Sequence, residues 1–178
     1  LINLARLDKA AHNRLQFTQS DLNLLLQEAT DEQRPYAETE RVNICNKFDD
    51  AIPPLFLDPK EIQRAIRQLL MNAIRYTPEG GQICVISVMQ SDKILIQVED
   101  TGIGIDEDDL EKIFNLFYRA DPARQSDAGG MGIGLNICQR IVEAHDGQIT
   151  VESKTGKGTT FTIHLPIKTS ESAGVDIS

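Results

Sequence analysis

The chain lacks a membrane span: no apolar run approaches the ~20 residues that a bilayer core requires, and no signal peptide opens it. It is poor in cysteine. Cys45, Cys84 and Cys138 form no CxxC pair and are odd in number, so reduced structural thiols in a cytosolic setting are expected. Its three histidines, His12, His145 and His164, sit apart and make no metal-spaced pair, which points to surface or capping roles. Positive charge is in deficit, with 18 Lys and Arg against 27 Asp and Glu, a net charge of −9. That balance disfavours nucleic acid and anionic membranes as partners recognised through bulk charge. There is no internal repeat. Leu1-Ile2-Asn3-Leu4 is not a natural start, so a fragment is expected, and membrane anchoring of a longer parent stays open.

What is present suffices for one substantial core: 178 residues, 40% of them hydrophobic. Leu1, Leu4 and Leu7 recur at helical spacing, followed by a break near residues 12–18 and a second helix from Ser20 through Arg34. Residues 41–48 alternate as a strand, and Leu55-Phe56-Leu57 is a second short one. Asp58-Pro59-Lys60-Glu61 is a helix start, with Asp58 as acceptor for free amides and an apolar stripe running on to Arg75. Residues 82–90 and 93–99 read as a hairpin around Ser91-Asp92. A short helix over 107–113 precedes a polar loop, 115–131, and a helix over 132–145 closes at Asp146-Gly147. A final hairpin (148–153, 159–167) leads to a disordered tail, 169–178. Helices gathered on one face of a mixed, mostly antiparallel sheet make an α+β two-layer sandwich.

Three segments carry chemistry. Asp100 ends a strand and is followed by Gly102 and Gly104. Its carboxylate can accept from the exocyclic amine of adenine, whereas guanine offers a carbonyl there, a mismatch costing about 1–3 kcal/mol. The glycines let backbone approach a flat ring. Asn72 lies mid-helix among Leu69, Leu70 and Ala73, where its amide oxygen suits Mg²⁺, which takes hard oxygen ligands and completes its shell with water and phosphate. Arg75, one turn on, can meet phosphate charge, and Tyr76 can lie against a base. Gly130, Gly132 and Gly134 precede a helix whose free amides favour anions. No Lys-Ser/Thr follows, so this is not a P-loop. Arg119 ends the aromatic run Ile113-Phe114-Asn115-Leu116-Phe117-Tyr118 and can swing to a terminal phosphate. Each segment alone has a bland reading: an acidic turn, an exposed Asn, a common glycine loop. Asp100-Thr101-Gly102 also matches the aspartic-protease tripeptide, but one copy would require a homodimer.

Taken in order, the segments resemble the catalytic, ATP-binding domain of bacterial sensor histidine kinases, in the superfamily that includes gyrase, Hsp90 and MutL. Gln68–Pro78 resembles the N box, Asp100–Gly104 the G1 box, Ile113–Arg119 the F box, Gly130–Leu135 the G2 box, and Gly158-Thr159-Thr160-Phe161 the terminal Gly-Thr segment. Leu1–Asp8 resembles the end of the second dimerization helix. The resemblance implies ATP and Mg²⁺ as cofactors, with Asn72 as metal ligand and Asp100 on the adenine amine. It places Gly102 and Gly104 along the base, and Gly130, Gly132, Gly134, Leu135 and Thr160 among the nucleotide contacts. Arg75 and Tyr76 take the positions after the metal Asn, where Arg replaces the usual Lys. Gln68 stands where ATP-hydrolysing relatives place a Glu that activates water; a Gln cannot act as that base.

The implied acceptor is therefore a protein histidine on the first dimerization helix, and no His-Glu/Asp-x-x-Thr/Asn-Pro sequence exists here to supply it. The implied organisation is 1–37 as dimerization helix and linker, 38–168 as catalytic domain and 169–178 as tail. The implied partners are the chain's own phosphoacceptor domain, a response regulator and, in a full-length parent, a second copy. A cytoplasmic location follows, without membrane contact by this fragment. Two rival functions share the boxes: a serine kinase of the anti-sigma type, and a nucleotide-binding regulatory module without transfer.

Overall fold

Two aspartates set the first two helices of the computed structural model, which describes residues 15–118 and 132–168. Asp21 accepts from the Leu24 amide at 3.1 Å and caps α1, Leu22–Thr39. Asp58 accepts from the Lys60 and Glu61 amides at 3.1 and 3.2 Å and caps α2, Pro59–Tyr76, with Pro59 in the first turn. Ahead of α1 lies a short strand, β1 (Thr18–Ser20), which pairs antiparallel with β3 (Leu55–Leu57). A helix start was expected at Ser20; the backbone is still extended there because Ser20 is paired with Leu55. Pro35 does not end α1, which continues to Thr39 and buries Ala37.

The main sheet contains β2 (Asn43–Phe48), β4 (Gln82–Gln90), β5 (Lys93–Asp100), β6 (Gln148–Lys154) and β7 (Gly158–Pro166), in the order β2-β4-β5-β7-β6. Only β2–β4 is parallel, so the sheet is mixed and mostly antiparallel, as expected. Alternation sends Ile83 and Val85 of β4, Ile94, Ile96 and Val98 of β5, and Phe161, Ile163 and Leu165 of β7 to one face. Three helices cover that face: α1, α2 and α4 (Gly134–Ala144). Each fully buried Leu or Ile contributes about 1.5–3 kcal/mol relative to exposure. The short helix α3 spans only Glu107–Leu110. The helix expected from Gly132 begins at Gly134, since Gly132 has φ +68° and lies outside helical space.

Two sequence expectations change. Cys45 and Cys84 face each other across β2 and β4 with Cα atoms 4.6 Å apart and form a disulfide; strand register brings together thiols 39 residues apart, which spacing along the chain does not reveal. Cys138 alone is a free thiol, buried in the core, with burial pushing its pKa up to about 12. The division expected at residue 37 falls inside α1, whose Leu22, Leu26 and Ala29 belong to the core shared with α2. Leu1–Asp8, His12, most of the 115–131 loop, Arg119, Gly130 and the tail lie outside the described residues. Among the described residues no helix is long and apolar enough to cross a membrane.

Candidate functional site

The last two turns of α2, the start of α4 and the ends of β5 and β7 enclose a cavity of about 380 Å³. Eight of the candidate site residues named from the sequence line it. Asn72, Arg75 and Tyr76 enter from α2, Asp100 from the end of β5, Gly104 from the following turn, Gly132 from the turn before α4, and Gly134 and Leu135 from the start of α4. Gly102 stands just behind the wall. A Cβ there would lie 2.5 Å from the Tyr76 carbonyl oxygen, so its role is to let the β5 turn meet the end of α2.

Asp100 is half-buried, and its Oδ1 accepts from the amides of Gly102 (2.8 Å) and Thr159 (3.2 Å). Both backbone donors use the same oxygen, which leaves Oδ2 to the cavity. Burial raises its pKa above the ordinary 3.8, and the two amides oppose that rise. Such a carboxylate is fixed in orientation and poorly solvated, so it gains most from a ligand N–H donor. The Gly104 turn is clamped from outside: the Gly156 amide donates to Ile103 O at 2.7 Å, and the Ile105 amide to Ser153 Oγ at 2.8 Å. Gly104 has φ +74°, and a Cβ on it would meet Lys154 O at 2.2 Å.

At the other end of the cavity, Asn72 projects its carboxamide, and among the described residues no hydrogen bond holds that group. A neutral oxygen donor without a protein partner, beside Arg75, fits a Mg²⁺ ion that keeps most of its shell as water and phosphate. Helix α4 begins there with no side-chain cap. Gly134 and Leu135 line the cavity, so the free amides of the helix start face it, an arrangement suited to an anion. Among the described residues lining the cavity, Arg75 is the only cation. Ile103, Ile105, Ile113 and Ile137 give the wall an apolar part. Tyr118 closes one side, its hydroxyl donating to Asp109; that bond and burial raise the phenol's pKa.

One expected contact falls one residue away. Thr160 pairs with Glu99 and Glu152 and faces away from the helices, whereas Thr159 lies opposite Asp100, is buried, and lines the cavity. The parity of β7 carries the signal: Phe161 points into the core, so Thr159 shares its face. Gln68, noted from the sequence only as a residue unable to activate water, is also in the wall, its Oε1 beside Gly134. His145 and His164 are remote from the cavity.

Residues 57–169 match the family described as histidine kinase-, DNA gyrase B- and HSP90-like ATPase. The chain belongs to that family. Within it the chain is similar to sensor kinases. The alginate biosynthesis sensor protein KinB of Pseudomonas aeruginosa is 36% identical over 94% of this chain and 27% of its own length. Sensor histidine kinase WalK of Bacillus subtilis (strain 168) is 44% identical over 63% of this chain and 19% of its own. The catalytic domain of histidine kinase ThkA superposes with a TM-score of 0.75 at 28% identity, covering 86% of this chain and 97% of that one. Full-length ShkA, solved with AMPPNP, shares the fold with a TM-score of 0.78 at 24% identity, over 93% of this chain and 35% of that one. This is an ATP-binding domain of the sensor histidine kinase type, and it spans about a quarter of KinB and a fifth of WalK.

Proposed function

We propose that the chain binds Mg-ATP in this cavity and passes the γ-phosphoryl group to a histidine on a dimerization helix, for relay to a response regulator. The observation that carries the reading is the pairing of two ends in one cavity. Asp100 offers a fixed acceptor to the adenine amine, and the uncapped start of α4 stands beside Asn72 and Arg75 at the other end. Asn72 would supply one ligand to a Mg²⁺ ion, whose charge would offset that of the phosphates. Arg75 draws the phosphates in and fixes their orientation. The isoleucine wall sequesters the base. Phosphoryl transfer asks for positioning and charge neutralisation rather than covalent help, which is what these residues provide. The AMPPNP held by ShkA is a ligand of the same chemistry.

Gln68 argues for transfer to protein over hydrolysis, since its amide cannot take a proton from water. In a homodimeric parent the acceptor histidine would come from that parent's dimerization helices. Incubating the chain with radiolabelled Mg-ATP and a separate histidine-bearing helix pair tests the reading. The expected product is a labelled helix pair whose phosphate is lost in acid and kept in alkali. Acid-stable label would instead indicate a serine kinase, and tight binding without label a regulatory module.

A further inference from the structure

His145 lies at the end of α4 farthest from the cavity, is 3% exposed, and takes no part in the nucleotide contacts described above. Its Nε2 accepts from the Asp58 backbone amide at 3.0 Å, and its Nδ1 donates to Ile141 O at 2.8 Å. A carbonyl on one side and an N–H on the other fix a single neutral tautomer, with the proton on Nδ1. Asp58 is itself a three-way junction. Its amide goes to His145, its Oδ1 caps α2, and its Oδ2 accepts from the Gln16 amide at 2.7 Å. The next residue of the incoming chain, Phe17, sets its ring on His145 (centroids 5.0 Å apart) and stacks on Phe56 (5.7 Å).

The two helices held at this junction are the ones that build the charged end of the cavity. Helix α2 runs from Asp58 to Asn72 and Arg75, and α4 runs back from Gly134 to His145. They pack against each other. We propose that His145 is a positioning residue for the nucleotide site: its neutral ring keeps α2 and α4 in register with each other and with the entering strand β1, and its protonation releases that joint. A second N–H at Nε2 would face the Asp58 N–H, leaving two donors and no acceptor in a buried place. Asp58 then loses a restraint, and with it the incoming segment 16–20.

The groups facing the ring act in both directions. Asp58 at the start of α2 and Glu61 within it favour the proton, while Lys168, just beyond β7, disfavours it. Lys168 also bonds Asp146, the residue after His145, and lies over the Phe17 ring. Burial is the largest influence and keeps the ring neutral to pH values below its ordinary 6.5. The joint is therefore closed at neutral pH and opens on acidification.

The proposal rests on the cavity being the Mg-nucleotide site. The test is Mg-ADP binding by calorimetry to the full chain at several values from about pH 8 to about pH 5, for wild type, His145→Gln and His145→Leu. Glutamine keeps an acceptor for Asp58 without titrating; leucine removes it. Expected at neutral pH are a Gln variant within about twofold of wild type and a Leu variant weaker by about three- to tenfold. Expected on acidification is a loss of affinity in wild type beyond that of His145→Gln, the comparison cancelling the nucleotide's own ionisation. Wild-type and Gln curves of the same shape would overturn the proposal, even where the Leu variant does not fold. A wild type that binds no nucleotide at neutral pH overturns instead the reading of the cavity.

Discussion

Asp100 can be tested by an exchange of one atom. In Asp100→Asn, Oδ1 can still accept from Gly102 and Thr159, so the amide NH₂ is forced to the position of Oδ2, facing the cavity. A donor then meets the adenine amine. ATP affinity should fall by about 1–3 kcal/mol, or roughly fivefold to 150-fold, and preference over GTP should shrink, because guanine offers a carbonyl there; competitive displacement of a fluorescent nucleotide measures both. Acid should act on the same group. A folded-state pKa above 3.8 means that the folded protein holds this proton more tightly than the unfolded chain. Asp100 therefore adds stability below pH 3.8, and that contribution is lost as pH rises through the elevated value. Ionised at neutral pH, it carries a desolvation cost that a ligand amine relieves. Without ligand, Asp100→Asn should consequently raise the neutral-pH unfolding midpoint while weakening ATP binding; a lowered midpoint would contradict this. That Asp100 and Asn72 would share a cavity was legible because their residue types stand in telling surroundings. Thr159 was missed because two threonines are adjacent, and only counting alternation back from Phe161 tells them apart.

At the scale of elements, the cavity depends on a turn and a hairpin pressed together. Gly158 has φ +103°, and a Cβ there would lie 1.9 Å from Asp100 O; Gly104 faces Lys154 O in the same way. Neither neighbour is a side chain that can swing aside. Gly158→Ala and Gly104→Ala should each destabilise the fold by about 2 kcal/mol or more, read by urea unfolding, whereas Gly156→Ala, with open space around its Cβ position, should pay only the backbone cost of its φ of +75°. The edge strand β2 offers another test. The Cys45–Cys84 bond closes a loop spanning a separation of 39 residues, for which chain entropy gives at most about 4 kcal/mol. Reduction should lower the unfolding midpoint and leave a Cys45→Ser variant unaffected. Helix α2 was readable from Asp58, Pro59 and its apolar stripe, all local signals. Strand β1 was not, since its extended backbone comes from pairing with β3, some 37 residues on, rather than from its own sequence.

For the whole molecule, the two-layer arrangement puts one end of α2 and α4 at the cavity and the other at the Asp58–His145 junction. The α+β class and the mostly antiparallel sheet were legible from the order of periodic segments. Register was not, and register decides which thiols meet and which threonine lines the cavity. A ligand that binds only this folded state must raise its stability, by about 2.7 kcal/mol at a hundredfold excess over its dissociation constant. The most direct measurement is calorimetric titration of the folded chain with ADP, with and without Mg²⁺, alongside Asn72→Ala. We expect heat of binding that strengthens with Mg²⁺ in wild type and a metal increment that disappears in Asn72→Ala, with metal-free affinity kept. An absence of binding at millimolar nucleotide, or a metal increment that survives loss of Asn72, would contradict the assignment of this cavity.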